Sequence, residues 1–146
     1  MTHQKAFTLP ELLVATTIIL LTSLGILFTY IQCLEINNIN HDTLKALASA
    51  RNQIETIKAT PFDQIHDTYN NQTFPLDGIT GIGTTDVNDK NPELLEVTVK
   101  CFWRQAKGRL IGEDKNLNGR LDQGEDLNKN GELDSPVSIL TYLYKR

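Results

Sequence analysis

The sequence Phe7-Thr-Leu-Pro-Glu11 leads directly into LLVATTIILLTSLGILFTYIQCL, residues 12–34, a run of 23 residues without a charged side chain. As an α-helix rising about 1.5 Å per residue, this run would be roughly 35 Å long, enough to cross the hydrocarbon core of a bilayer. A conventional secretory signal has an apolar core of only about 7–15 residues, followed by a cleavage site of small residues. No such site follows the run, so the sequence predicts a membrane-spanning helix instead.

The helical pattern continues beyond the apolar run as far as Pro61. Apolar residues recur at steps of three or four, with Thr43 in the one gap, and share a single stripe. They are Ile36, Ile39, Leu47, Ala50, Ile54 and Ile57. Pro61 ends the pattern because the residue before a proline disfavours helical dihedrals. Residues 7–60 are therefore predicted to form one long helix, transmembrane over residues 7–34 and amphipathic after that.

Two segments in the C-terminal half have the pattern of strands. Leu95–Trp103 alternates with period two, which puts Leu95, Val97, Val99, Cys101 and Trp103 on one face. Val137–Tyr144 is predicted as a second strand. Residues 62–92 are rich in Asn, Asp, Thr, Gly and Pro and are predicted to be a connection, with one short extended piece within Ile79–Val87. The predicted fold class is α+β, a long N-terminal helix packed on a small antiparallel sheet.

A single carboxylate, Glu11, stands at the edge of the apolar run, where a charge is costly unless it is paired. One interpretation is a capping box, in which Glu11 accepts a hydrogen bond from the backbone N–H of Thr8. A functional role for the carboxylate is the other, and the two can hold at different stages. Lys5 lies before the run and predicts a cytoplasmic N-terminus with the rest of the chain outside.

The polar leader of residues 1–6, the small residue Ala6, Phe7, Glu11 and the long apolar run together resemble the prepilin signal of the type IV pilin-like family, which includes the pseudopilins of type II secretion. The family usually has Gly where this chain has Ala6. The resemblance implies that prepilin peptidase cuts between Ala6 and Phe7, that the new amine is methylated, and that Glu11 guides assembly. It also implies an inner-membrane assembly platform and other pilin-like subunits as partners, with residues 35–146 as a periplasmic head.

The segment of residues 113–134 is acidic and contains an internal repeat. Its seven acidic and three basic side chains account for the whole net charge of −4. Asp-x-Asn-x-Asn-Gly-x-Leu-Asp begins at Asp114 and again at Asp126, one twelve-residue loop later, and the first copy fits a calcium-loop template. The alternative is that Asp, Asn and Gly simply favour turns. The two adjoining copies resemble the tandem calcium loops of dockerin-like and thrombospondin type 3-like repeats.

The template assigns oxygen ligands for Ca²⁺ to both copies. Those of the first are Asp114, Asn116, Asn118, the Arg120 carbonyl, Asp122 and Glu125, and those of the second are Asp126, Asn128, Asn130, the Glu132 carbonyl and Asp134. The twelfth position of the second copy is Val137, so this loop lacks a closing glutamate. It is either weaker or completed by an acid from elsewhere. One Ca²⁺ is therefore predicted in the first loop, and the second loop allows another.

The remaining composition narrows the class of function. The net charge of −4 argues against a nucleic acid as the main partner. Cys33 and Cys101 are too few for a disulfide framework or a Cys-rich zinc site, and each is expected to pack as a small apolar residue. His41 and His66 lack a partner at ligand spacing, and no nucleophile–His–acid set can be assembled, so no enzyme is expected.

The sequence thus predicts a minor pseudopilin or other pilin-like subunit, held in the bacterial inner membrane and assembled into a periplasmic filament for protein secretion. A strand ending in Trp103, followed by Val137–Tyr144, is similar to the small sheet of the minor pseudopilins. Two alternatives stay open. One is a minor pilin whose calcium-ordered loops bind DNA, a surface or a partner protein at a filament tip. The other is a single-pass anchored domain that never polymerises.

Overall fold

The computed structural model describes residues 8–105 and 108–145. These residues fall into two compact units, one ending at Asn38 and the other beginning at Ile39. Helix α1, Leu9–Lys58, contributes to both units. Its length of 50 residues confirms the long helix that the sequence predicted, within two residues at each end.

The first unit is the apolar half of α1. In the described part of the chain, α1 is long and apolar enough to cross a membrane, by length and composition, and all of its residues from 9 to 34 are exposed. Its threonine hydroxyls donate to carbonyls three or four residues earlier, as Thr17 does to Leu13 over 2.8 Å and Thr29 to Gly25 over 2.9 Å. The hydroxyls are therefore satisfied within the helix, as a hydrocarbon environment requires.

The second unit adds a short helix and an antiparallel sheet. The elements are α2 (Phe62–Tyr69), β1 (Gln72–Pro75), β2 (Gly81–Asn91), β3 (Leu94–Arg104), β4 (Leu110–Ile111) and β5 (Val137–Tyr144). Strand β2 lies between β1 and β3. The other side of β3 pairs with β5 from Leu94 to Cys101 and with β4 at Trp103 and Arg104.

The core lies between the second half of α1 and one face of the sheet. The predicted inward residues of β3 are all buried, and so is Val137 on β5. From α1 they meet Ala46, Ala50, Ile54 and Ile57. Because Ala46 and Ala50 are small, the helix can approach the sheet closely. Each fully buried aliphatic side chain stabilises the fold by about 1.5–3 kcal/mol.

Two sequence predictions for this region were wrong. Ile36 does not join the core stripe: it is 55% exposed, because it precedes the second unit. Residues 62–92 are also more than a connection. They contain α2, which buries Ile65, and β1, while β2 extends to Asn91 instead of ending near Val87.

Candidate functional site

Glu11 lies in the first turn of α1, and its carboxylate is exposed. The backbone N–H of Thr8 donates to Glu11 Oε2 over 3.5 Å, while the Glu11 and Leu12 amides both donate to the Thr8 carbonyl over 3.1 Å. The reach-back bond of a capping box is therefore present, but it is at the outer limit of hydrogen-bond length. The cap holds the carboxylate only weakly. The predicted cleavage positions, Ala6 and Phe7, lie outside the described residues.

The acidic segment forms an insertion between β4 and β5. The backbone N–H of Glu113 donates to the Asp134 carbonyl over 3.0 Å. This bond joins the two ends of the predicted segment, so residues 113–134 leave and rejoin the sheet at one neck. The sequence prediction of an insertion in the connection between two paired strands is confirmed.

The first loop is organised around Asp114, which is fully buried. Asp114 Oδ1 accepts the Asn118 backbone N–H over 3.1 Å, and Oδ2 accepts that of Gly119 over 2.7 Å. Gly119 has a φ of +76°, a conformation that glycine adopts at little cost. The first and sixth positions of the loop are thus held together as the calcium-loop template requires.

The end of the first loop is held by amide side chains. Asn116 Nδ2 and Asn118 Nδ2 donate to Asp122 Oδ2 over 2.7 and 2.8 Å. These bonds, first that from Asn116 and then that from Asn118, lower the pKa of the Asp122 carboxyl, and the charge of Arg120 lowers it further. Asp122 is therefore held as a carboxylate, the form that binds a cation.

The second loop repeats the bonds of the first, twelve residues later. Asp126 accepts the backbone N–H groups of Asn130 and Gly131 over 3.1 and 2.9 Å. Asn128 and Asn130 donate to Asp134 Oδ2 over 2.5 and 3.0 Å. The two copies found in the sequence are therefore two copies of one structure.

A glutamate that the sequence analysis did not assign, Glu113, closes the second loop. Glu125 accepts the N–H groups of the second and ninth positions of the first loop, Lys115 over 2.8 Å and Asp122 over 3.1 Å. Glu113 accepts those of the equivalent positions of the second loop, Leu127 over 3.2 Å and Asp134 over 3.0 Å. Both glutamates are buried, at 8% exposure for Glu113 and 3% for Glu125.

The signal for Glu113 is present in the sequence. Each repeat begins with Glu-Asp, as Glu113-Asp114 and Glu125-Asp126. The template starts at the aspartate, so it counts the second glutamate as the end of the first loop and leaves the first glutamate out. Glu113 is therefore the candidate for the acid from elsewhere, one of the two alternatives that the sequence of the second loop left open.

The predicted ligands of each loop are held near one another by hydrogen bonds, and their carboxylates do not form a cluster. Among the described residues, no three His, Cys, Asp or Glu side chains form a group that could hold a metal ion. The side chain of Glu132 turns away from its loop to pair with Lys100 over 3.0 Å, and Arg120 is exposed. The predicted metal-ligand atoms are all oxygens, and the carboxylates of Asp114, Glu113 and Glu125 are buried. Oxygen ligands suit a hard cation such as Ca²⁺ better than zinc.

The fold and the N-terminal segment define a class of protein, a small α+β head on a long helix whose first half is apolar and exposed. The prokaryotic N-terminal methylation motif matches residues 1–27. This prepilin-type signal implies processing by prepilin peptidase and assembly with other pilins. With the apolar helix it fits a pilin anchored in the inner membrane, and the fold is consistent with that of pilins. No curated protein and no solved structure matches the chain.

Proposed function

We propose that this protein is a structural subunit, of the minor pseudopilin kind, in a type II secretion pseudopilus or a type IV pilus-like filament. Prepilin peptidase cleaves it between Ala6 and Phe7. The helix of residues 7–34 anchors it in the inner membrane with the N-terminus cytoplasmic, and residues 35–146 form a periplasmic head. It has no enzymatic activity, and its partners are other pilin-like subunits and the inner-membrane assembly platform.

The observation that carries this proposal is the continuity of the signal with α1. The match over residues 1–27 ends inside this helix, so the segment that the peptidase recognises is also the segment that anchors the chain. Every side chain of residues 9–34 is exposed. An apolar surface of this extent needs lipid or other apolar helices around it. A membrane before assembly and neighbouring subunits after assembly provide both.

Glu11 supplies a reason for one subunit to bind the next. Cleavage creates a free ammonium at Phe7, four residues before a carboxylate that its own helix holds only over 3.5 Å. Each charge is costly to remove from water at the membrane edge. Pairing the Glu11 carboxylate of one subunit with the Phe7 ammonium of its neighbour offsets both costs.

The insertion adds a stabilising cofactor to this proposal. We assign one Ca²⁺ to the first loop, closed by Glu125, and a second to the loop that Glu113 closes. The support is the twelve-residue repeat, the oxygen-only donors and the burial of both glutamates. A bound Ca²⁺ supplies positive charge among seven acidic side chains. Extracellular calcium modules bind with a Kd of roughly 10⁻⁴ to 10⁻³ M, and the periplasmic head would need an affinity of this order.

The Glu11→Val substitution tests the filament role. We expect membrane insertion to be unchanged, because the span becomes more apolar. Crosslinking to neighbouring subunits should fall by about tenfold or more, the effect of losing roughly 1.4 kcal/mol per contact. Site-specific crosslinking in cells that assemble the filament measures both quantities.

Thr16→Val is the matched control for this test. It also makes the span more apolar, but the Thr16 hydroxyl bonds only to the Leu13 carbonyl of its own helix, over 3.0 Å. It should therefore crosslink as the unmodified chain does. Normal incorporation of Glu11→Val would mean that Glu11 serves only as a helix cap.

A further inference from the structure

The face of the sheet that points away from α1 carries a buried aromatic ring. Phe102 is 0% exposed, yet it alternates with Cys101 and Trp103, whose side chains face the helix. Its partner in the β2–β3 register is Ile82, and Thr84 and Lys100 form the next pair. We call this surface, formed by Ile82, Thr84, Lys100 and Phe102, the outer face.

The neck of the insertion lies directly on Phe102. A Cβ atom at Gly112 would be 2.5 Å from Phe102 Cδ1, which is closer than real Cβ atoms approach other atoms. Ser135, on the other side of the neck, donates its hydroxyl to the Cys101 carbonyl. The backbone of the neck therefore excludes water from the ring, and glycine at position 112 makes this close approach possible.

Both loops also rest on the outer face. A Cβ atom at Gly119 of the first loop would be 2.4 Å from Thr73 Cγ2 and 3.0 Å from Thr84 Cγ2. In the second loop, Glu132 pairs with Lys100 over 3.0 Å. Arg104 Nη2, at the end of β3, donates to the Lys115 carbonyl over 2.9 Å. The insertion is thus a cover over the outer face, attached at its neck and by both loops.

The insertion has few buried apolar side chains of its own. Of its leucines, only Leu133 is buried, while Leu121 and Leu127 are exposed. Its internal order comes from backbone N–H groups held by the buried carboxylates of Asp114, Glu113 and Glu125. The insertion carries seven acidic side chains against three basic ones, and this excess of negative charge opposes its order when no cation is bound. A bound cation therefore favours the state in which the insertion is ordered and covers the outer face.

We propose that the insertion is a calcium-dependent lid, in which Ca²⁺ in the loops keeps Phe102 and the outer face covered and loss of Ca²⁺ uncovers them. This inference rests on the calcium binding assigned above and adds its consequence for the sheet. Linkage makes the relation reciprocal: if Ca²⁺ favours the covered state, contacts that form only in the covered state must favour Ca²⁺. Residues without a ligand atom, on the sheet and at the neck, therefore contribute to calcium affinity.

Calorimetric titration of the full chain in detergent with Ca²⁺ tests this relation. Phe102→Ala removes the covered ring, and Gly112→Ala adds a methyl group that would clash with this ring. Each should weaken calcium affinity by roughly fivefold or more. In the Phe102→Ala background the Gly112→Ala change should have a much smaller effect, because the ring that it strikes is gone. Circular dichroism checks that each variant is folded, and Phe102→Leu replaces Phe102→Ala if the latter does not fold.

Gly108→Ala is the matched control. Its φ of +77° strains an alanine much as the φ of Gly112, +94°, does, but an added Cβ has nothing within 4 Å and lies outside the insertion. It should leave calcium affinity unchanged. If the variants at Phe102 and Gly112 bind Ca²⁺ as the unmodified chain does, the lid is overturned while calcium binding stands. If the unmodified chain gives no calcium signal, the calcium assignment fails and the lid fails with it.

Discussion

At the scale of single residues, burial decides what each reactive group can do. Cys101 is fully buried in the core, and its thiol donates to the Ala46 carbonyl over 3.6 Å. Burial raises the pKa of this thiol from 9.0 to about 12. The group therefore stays protonated at neutral pH. It packs as a small apolar residue, as the sequence predicted, and contacts α1 from its place on β3.

We predict that Cys101 does not react with a maleimide in the folded Cys33→Ser variant near pH 8, and reacts fully after denaturation. The thiolate is the nucleophile, and a pKa of about 12 leaves almost none of it. Timed labelling followed by intact mass spectrometry measures the rate. Rapid labelling of the folded protein would mean that water reaches this part of the core.

The raised pKa of the Cys101 thiol also predicts how the stability of the fold changes with pH. The folded pKa lies above its ordinary value, so the contribution of the neutral thiol to stability is complete below pH 9.0 and is lost as the pH rises toward 12. The loss of unfolding stability over this range should be smaller in a Cys101→Ala variant.

At the scale of elements, the insertion is a pair of loops that are closed by glutamates twelve residues apart. Glu125 is the last residue of the first loop and closes it, while Glu113 precedes the first loop and closes the second. Glu113 also forms the neck through its backbone bond to Asp134. The second loop is therefore held by the residue that directly precedes the first loop, and the pair should order as one unit.

We predict that Glu113→Gln removes as much of the calcium-dependent stabilisation as Glu125→Gln does. With a Kd of roughly 10⁻⁴ to 10⁻³ M, millimolar Ca²⁺ stabilises the folded state by about 0.4–1.4 kcal/mol per site, or a rise of a few degrees in Tm. Mg²⁺ should substitute poorly because it demands a tighter octahedron and retains its waters. Scanning calorimetry of the full chain with Ca²⁺, with Mg²⁺ and with a chelator measures the difference.

Glu132→Gln is the control for both glutamate variants. It removes an acid of the second loop, but this side chain is 70% exposed and pairs with Lys100 instead of closing a loop. The rise in Tm should therefore fall by less than in Glu113→Gln, because only one contact between the insertion and the outer face is lost. A full calcium response in Glu113→Gln would show that the second loop is closed by another group.

The strands that could be predicted from the sequence are those in which more buried and more exposed residues alternate along most of their length. The burial of strand β3 alternates from Leu95 to Cys101, because the inward residues meet the helix, and β5 follows the same rule. Strand β2 was only partly predicted, since its final residues, Asn88 to Asn91, are polar and mostly exposed and resemble a loop. Glu113 was missed because the loop that it closes begins thirteen residues later, at Asp126. The Glu-Asp start of each repeat relates the two glutamates in the sequence, but only the folded chain shows that the first of them closes the second loop.

At the scale of the whole molecule, apolar surface and charge are separated along the chain. Most of the exposed large apolar side chains in the described part of the chain lie on residues 9–34, while residues 113–134 carry the whole net charge of −4. Lys5 is the one fixed positive charge of the leader. In the proposed topology it holds the N-terminus in the cytoplasm during insertion and leaves with the leader when the chain is cut. The charge that orients the anchor is therefore not needed in the mature subunit.

The last prediction concerns the mature chain. We expect intact mass spectrometry to find a chain that begins at Phe7 with a methylated amine, since the signal spans residues 1–27 and the cut before Phe7 leaves the apolar helix in place. A secretory signal peptidase would cut after the apolar core and remove the anchor. Ala6→Leu should block the cut because a bulky side chain replaces the small one at the cleavage site, whereas Ala6→Gly should preserve it. A mature chain that retains Met1 in cells with active prepilin peptidase would contradict the prediction, and a chain lacking the helix would indicate the other peptidase.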